Sequence, residues 1–145
     1  MISIKLLVLQ FLFAIQGVES NHGKDLNHKP VMIRKSIHFG DTAIGPWAMM
    51  PKTIEMLKKD VKRFKIDARY QKEVVSLYAI KVLRAAGGCP LKASILWLKG
   101  PGAKVTVLDY SSARYRRFIQ DWESISQVNI LEDPIILQSC QQVLP

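Results

Sequence analysis

Glu19 is the residue whose type and position are best suited to chemistry. It ends the most apolar segment of the chain, after Phe11, Phe13, Ile15 and Val18. Burial penalises the charged form of a carboxyl and raises its pKa, and the negative end of a helix dipole acts in the same direction. A carboxyl that stays protonated near neutral pH can donate a proton to a leaving group. The alternative is a solvated glutamate at a helix end, without a chemical role.

Metal and thiol chemistry find less support in the histidines and cysteines. His22, His28 and His38 lack the helical i, i+4 spacing of zinc hydrolases, and we interpret them as solvated loop residues. Cys89 and Cys140 lack the spacing of a zinc site. They either form one disulfide in an oxidising compartment or stay as buried free thiols. The sequence therefore predicts no metal site and no cofactor.

Length and charge restrict the class of protein. A chain of 145 residues fits one domain with one core. The formal net charge of +9 favours anionic partners, which include nucleic acid, an anionic membrane surface and a phosphate- or carboxylate-bearing cell wall. The chain carries no recognition motif for nucleic acid, so we expect no nucleic-acid partner. The dense basic run at residues 58–63 is interpreted as the solvated face of a helix.

The first twenty residues admit two interpretations. Lys5, the apolar stretch at residues 6–15 and the small residue Ser20 fit a secretory signal peptide cleaved after Ser20. The same segment fits a buried first helix, because a helix that is apolar on nearly all sides belongs at the centre of a core. Gln10 and Gln16 interrupt the apolar run, which suits a helix better. Taken alone, the segment favours a signal peptide.

The elements that must position these residues are mainly helices. Apolar residues at steps of three and four predict helices at residues 51–64, 68–86 and 112–126. Asp67 is a candidate cap for the second helix, whose apolar face we expect to contain Tyr70, Val74, Leu77 and Tyr78. In the third helix we interpret Trp122 as a core residue.

Two further stretches are ambiguous. Residues 90–98 alternate as a strand does and would form a hairpin with 105–108 across the glycines between them. A short helix that begins at Pro90 fits the same residues. Residues 31–39 alternate weakly and predict a short strand or an irregular segment. We expect the tail at 128–145 to pack back on the core.

Three segments in order resemble the soluble lytic transglycosylase and goose-type lysozyme family. Residues 14–21 read AIQGVESN, like the Glu-Ser pair that closes the family's first helix. Residues 42–53 read TAIGPWAMMPKT, like the family's Ala-x-Gly segment followed by Gln-x-Met-Pro-x-Thr. Residues 94–102 read SILWLKGPG, like its Ala-Tyr-Asn-x-Gly-Pro-Gly segment. The resemblance covers roughly residues 10–120, and it reverses the preference for a signal peptide because cleavage after Ser20 would remove Glu19.

The resemblance implies a fold and an activity. The fold is a single lysozyme-like domain over residues 1–145, of α+β class but mainly α. The activity is cleavage of the β-1,4 bond between N-acetylmuramic acid and N-acetylglucosamine in peptidoglycan, with Glu19 as general acid and base. A transglycosylase needs no second carboxylate. A hydrolase that inverts the sugar does, and Asp41 is the candidate there; alternatively Asp41 only forms a turn.

The resemblance also implies residues that bind the sugar. These are Ser20, Gly45, Trp47, Met50 and Trp97. Each has a structural alternative, since a tryptophan or methionine in an apolar stripe is usually a core residue and a serine often caps a helix end.

The sequence departs from the family pattern at positions that normally contact sugar or hold the acid. Ala48 replaces the family's glutamine, Trp97 its tyrosine and Leu98 its asparagine. These departures leave open a catalytically inactive wall-binding or virion module, and a secreted basic binding protein with a cleaved signal peptide is a further alternative. The expected partners are peptidoglycan glycan strands. We expect neither a nucleic-acid partner nor insertion of the chain in a membrane. We expect the protein to be located in a phage virion or delivered to the periplasm or cell wall. It would be part of a virion or of a secretion apparatus.

Overall fold

The computed structural model describes residues 3–24 and 43–141, and these residues are mainly helical. Two short 3-10 turns, at Val107–Ser111 and Ile130–Glu132, lie on either side of the sixth helix. The helices, in chain order, are α1 (Ile4–Ser20), α2 (Pro51–Met56), α3 (Val61–Ile66), α4 (Ala68–Ala85), α5 (Pro90–Lys99), α6 (Ala113–Ser126) and α7 (Pro134–Cys140). Asp41, His28, His38 and the predicted strand at 31–39 lie outside the described residues.

The apolar segment that precedes Glu19 forms α1 and enters the core. Ser3 caps the helix, because its hydroxyl accepts a hydrogen bond from the Leu6 amide at 3.2 Å. Phe11 and Ile15 are fully buried, and the helix packs most extensively against α6. At Asn21 the backbone enters the left-handed region with φ of 51°, which ends the helix immediately after Ser20. The packing is the one expected for a buried first helix.

The mainly α prediction is confirmed, whereas the β component of the predicted α+β class is absent from the part of the chain that the structure describes. There, the β pairing is limited to one isolated bridge between Ile44 and Met49. Residues 90–98 form α5, which selects the short helix that begins at Pro90 over the alternative of a hairpin. α5 contacts α1, α4, α6 and α7 and is buried on several sides. A helix surrounded in this way does not need an amphipathic stripe, and its sequence therefore resembled a strand.

The helix predicted at 51–64 is two helices, and the prediction of one was wrong. Lys58 adopts φ of 57°, which interrupts the helix. The Asp60 carboxylate accepts hydrogen bonds from the amides of Lys62 at 2.9 Å and Arg63 at 3.3 Å and begins α3. Both Ile54 and Phe64 are fully buried, one from each helix. The basic run is mostly exposed, as expected, but spans the break instead of one helical face.

The helices predicted around α4 and α6 are confirmed. Asp67 caps α4 through the Tyr70 amide at 3.1 Å, and Trp122 of α6 lies in the core. Leu77 was wrongly placed on the buried face of α4, because 44% of its surface is exposed. The helix rotates Val75, Ala79 and their neighbours into the core instead.

The described part of the tail, residues 128–141, packs back on the core, as predicted. Ile136 of α7 is buried, and Cys140 forms a disulfide with Cys89 ahead of α5. This selects the disulfide over the free thiols. Within residues 3–24 and 43–141 no single helix has the length and hydropathy of a membrane span; α4 and α5 pass that test only as a pair bent by 116°.

Candidate functional site

Glu19 lies in the last turn of α1, and its side chain is only 7% exposed. Its carboxylate forms an ion pair with the guanidinium of Arg114, which α6 presents across the contact between the two helices. Burial raises the pKa of Glu19 above its usual value of 4.5, while the charge and hydrogen bond of Arg114 act against this and lower it. The effect of burial is the larger one, so the carboxyl keeps its proton more readily than a solvated glutamate does.

Arg114 owes its position to the start of α6. The Ser112 hydroxyl accepts a hydrogen bond from the Tyr115 amide at 3.1 Å and so caps this helix. Phe118 enters the core one turn later, which turns Arg114 towards α1. A positive side chain in the first turn of a helix meets the positive end of the helix dipole. The Glu19 carboxylate relieves that repulsion and keeps the guanidinium at this end of α6.

A pocket with a volume of about 220 Å³ opens beside the ion pair. Most of its lining is apolar, with polar groups from the end of α5 and the start of α6. Val18 and Arg114 belong to the lining and Glu19 does not, so Arg114 connects the buried carboxylate to the pocket. The lining residues are Ile15, Val18, Ser94, Ile95, Leu98, Lys99, Leu108, Asp109, Ser112, Arg114, Tyr115 and Phe118.

The three segments that resemble the lytic transglycosylase family are linked through the turn at residues 44–49. The hydroxyl of Ser20 lies 2.7 Å from the carbonyl oxygen of Pro46. The indole N–H of Trp47 donates to the carbonyl of Leu12 at 2.9 Å, and the indole N–H of Trp97 donates to the carbonyl of Trp47 at 3.2 Å. These contacts join α1 to the turn at residues 44–49, and that turn to α5.

Most of the five predicted sugar-binding residues lie where α1, the turn at residues 44–49 and α5 contact one another. Ser20 is 1% exposed and also accepts a hydrogen bond from the Gly23 amide. Trp97 is buried in the core, and Trp47 and Met50 are half-buried. Gly45 adopts φ of 77°, and a β-carbon there would lie 3.3 Å from the side-chain oxygen of Gln71. None of the five lines the pocket.

A second polar cluster at the end of α1 was not anticipated from the sequence. The buried Asp121 carboxylate accepts a hydrogen bond from Arg117 Nε at 2.7 Å. Arg117 Nη2 donates to Asn21 Oδ1 at 2.9 Å, and His22 Nε2 lies 3.5 Å from the carboxylate. A β-carbon on Gly17 would collide with Asp121, so the close approach of α1 and α6 depends on this glycine.

His22 is not the solvated loop histidine that the sequence predicted. Its ring stacks on Phe13, with 4.4 Å between ring centroids, because Asn21 and His22 both adopt positive φ and turn the chain back over α1. Among the described residues, no group of three or more His, Cys, Asp or Glu side chains is arranged to hold a metal ion.

The sequence carries one signal for Arg114, Arg117 and Asp121. They stand at positions i, i+3 and i+7 of α6, which places them on one helical face. A charged face beside an apolar stripe usually indicates solvent exposure. Its contact with the end of α1 depends on how the two helices pack, and that packing cannot be derived from spacing alone.

The arrangement can support proton transfer. A protonated Glu19 is a donor for a leaving oxygen, and the ionised form is a base. Arg114 favours the ionised form and burial favours the protonated form. A change in the partner of Arg114 therefore shifts the balance between the two forms.

No match to a known protein emerges from the comparisons, since no family model, no curated protein and no solved structure is significantly similar to this chain.

Proposed function

We propose that this chain is a peptidoglycan-cleaving lytic transglycosylase with a lysozyme-like fold, in which Glu19 is the general acid and base. One observation carries the proposal. Three segments that resemble the family, far apart in sequence, are linked by hydrogen bonds from Ser20 to Pro46 and from Trp97 to Trp47. The buried carboxyl of Glu19 lies next to Ser20 at the end of α1.

In the proposed reaction Glu19 first donates its proton to the oxygen between N-acetylmuramic acid and N-acetylglucosamine. The bond from that oxygen to the muramyl C1 breaks, and the glucosaminyl hydroxyl leaves. Glu19, now a carboxylate, removes the proton from the muramyl 6-hydroxyl while the 6-oxygen bonds to C1. The product is a 1,6-anhydro ring, and Glu19 is protonated again. No second carboxylate and no water molecule enter this sequence.

The direction of the pKa of Glu19 supports this role. An acid that must protonate a poor leaving group works best when its pKa approaches the working pH. Burial of the Glu19 carboxyl raises its pKa. The net charge of +9 favours retention of the protein on an anionic cell wall, and delivery to the periplasm or cell wall from a virion or secretion apparatus is part of the proposal.

The ion pair favours a second candidate, a catalytically inactive wall-binding or virion module. Arg114 pairs with the Glu19 carboxylate and favours its ionised form. Ala48 and Leu98 replace residues that contact the sugar or hold the acid in the family. Hydrolysis assisted by Asp41 stays a prediction, because Asp41 lies outside the described residues.

The test is digestion of purified peptidoglycan by the full-length protein, by Glu19→Gln and by the control Glu55→Gln, which changes an exposed glutamate on α2. Mass analysis of the soluble fragments separates the candidates. The proposal predicts 1,6-anhydro-muropeptides from the wild type and the control and none from Glu19→Gln. Reducing ends would establish hydrolysis instead, and absence of soluble products from the wild type would favour the inactive module.

A further inference from the structure

Arg114 is in contact with two environments. One Nη atom pairs with the Glu19 carboxylate, and the side chain also lines the pocket. The side chain of Arg114 is 25% exposed and that of Glu19 is 7% exposed. A ligand that enters the pocket therefore meets the Arg114 side chain more readily than the Glu19 carboxylate, which does not line the pocket.

Lys99 is the other cation in the pocket lining, and it already has a carboxylate partner there. The Lys99 ammonium donates to the Asp109 carboxylate at 2.9 Å and to the carbonyl of Lys104 at 3.1 Å, and Asp109 itself lines the pocket. The acidic partner of Arg114, in contrast, does not line it. An anionic ligand that binds Arg114 would thus compete with a carboxylate outside the pocket lining, whereas one that binds Lys99 would compete with Asp109 inside it.

An arginine can form two parallel hydrogen bonds with a carboxylate, which makes it selective for this group. We propose that Arg114 recognises a carboxylate on the muramyl side of the bound glycan and exchanges its contact with Glu19 for that ligand. This inference rests on the proposed function. The carboxylate belongs to the lactyl group in a bare glycan strand or to the stem peptide in a substituted one.

The exchange couples recognition to chemistry. Arg114 lowers the pKa of Glu19, while burial raises it. Once the guanidinium binds the ligand, burial acts with less opposition and Glu19 holds its proton. The acid is thus formed when the correct ligand is present, and a neutral glycan leaves the original ion pair in place.

Binding measurements on the full-length chain test whether Arg114 recognises the carboxylate. The background is Glu19→Gln, which prevents cleavage. The ligands, matched in length, are a neutral N-acetylglucosamine oligosaccharide, a bare muramyl glycan and a peptide-substituted muramyl glycan. We expect at least one carboxylate-bearing glycan to bind about tenfold more tightly than the neutral one, the range of a charge-assisted hydrogen bond. Tighter binding of the bare glycan assigns the lactyl carboxylate, and tighter binding of the substituted glycan assigns the stem peptide.

Variants of α6 identify the residue responsible. Adding Arg114→Gln to Glu19→Gln is expected to remove the preference, and adding Arg114→Lys to keep part of it, because the charge remains. The control Arg116→Gln changes an exposed residue of the same helix that contacts the Ser111 carbonyl, and we expect it to keep the full preference. The inference is overturned if the preference survives Arg114→Gln, if no glycan shows a preference, or if no glycan binds.

The two proposals can fail separately. If the wild type forms no soluble product but the preference depends on Arg114, recognition of the carboxylate by a binding module stands and the transglycosylase proposal fails. If anhydro products form and Arg114→Gln leaves the preference unchanged, the transglycosylase proposal stands and the exchange fails.

Discussion

Two carboxylate–arginine pairs lie at the contact of α1 with α6, and they differ in how many partners they have. Asp121 contacts Arg117 and His22, and Arg117 is held in turn by Asn21. Glu19 pairs with Arg114, which also lines the pocket. The first pair is a closed network that fixes the two helices. The second is open on one side, which is what a group that must change its protonation state or partner requires.

The largest expected effect is a loss of activity on substitution of Glu19 that is not seen on substitution of Asp121. Glu19→Gln should lower kcat/KM for peptidoglycan by about 10²- to 10⁴-fold, because an amide cannot deliver or accept the proton. Asp121→Asn should leave kcat/KM within a few-fold of the wild type at a temperature where the variant is folded. The measurement is the rate of soluble fragment release. Equal losses in the two variants would remove the functional distinction between the pairs.

A smaller effect is expected from closing the space between the helices. Gly17→Ala places a methyl group against the Asp121 carboxylate and His22. We expect it to lower the free energy of unfolding by about 1–3 kcal/mol, the usual range for overpacking in a tight contact. Urea unfolding measures the change, and Gly102→Ala, whose β-carbon would meet no atom within 4 Å, is the control. An unchanged midpoint for Gly17→Ala would show that Asp121 moves aside without loss.

The smallest expected effect is a pH dependence of stability due to Glu19. Its pKa in the folded protein lies above the usual value of 4.5, so folding favours the protonated form. The stabilisation is fully present below 4.5 and is lost as pH rises through the folded pKa. Glu19→Gln lacks this loss. The free energy of unfolding of the wild type relative to Glu19→Gln should therefore fall as pH rises through this window. A difference that increases with pH would contradict the account.

The sequence predicted the parts of the fold that depend on local signals. Capping by Asp67 and the apolar stripe that contains Trp122 are local, and both are confirmed. The interruption at Lys58 was missed, because no glycine or proline marks the residue whose positive φ ends α2. The sequence of the helix at Pro90–Lys99 is ambiguous, since burial on several sides removes the helical period from it.

In the candidate site, too, the features that depend on local sequence were predictable and those that depend on packing were not. The burial of Glu19 followed from the apolar residues before it, and the structure agrees. Its partner could not be predicted, because Arg114 is 95 positions further along the chain. Only the packing of α1 on α6 brings the two side chains together. Trp97, expected at the sugar, is instead buried against Phe11 and Tyr78. Spacing identifies a face of a helix but not the neighbour of that face.

The most direct test of the central claim is the pKa of the Glu19 carboxyl, measured in the full-length protein by carbon-detected NMR with Glu19→Gln to assign the signal. The account predicts a pKa above 4.5 in the wild type, because burial outweighs the opposing charge of Arg114, and a higher value in Arg114→Gln. A wild-type pKa below 4.5 would contradict it, because the charge and hydrogen bond of Arg114 would then outweigh burial.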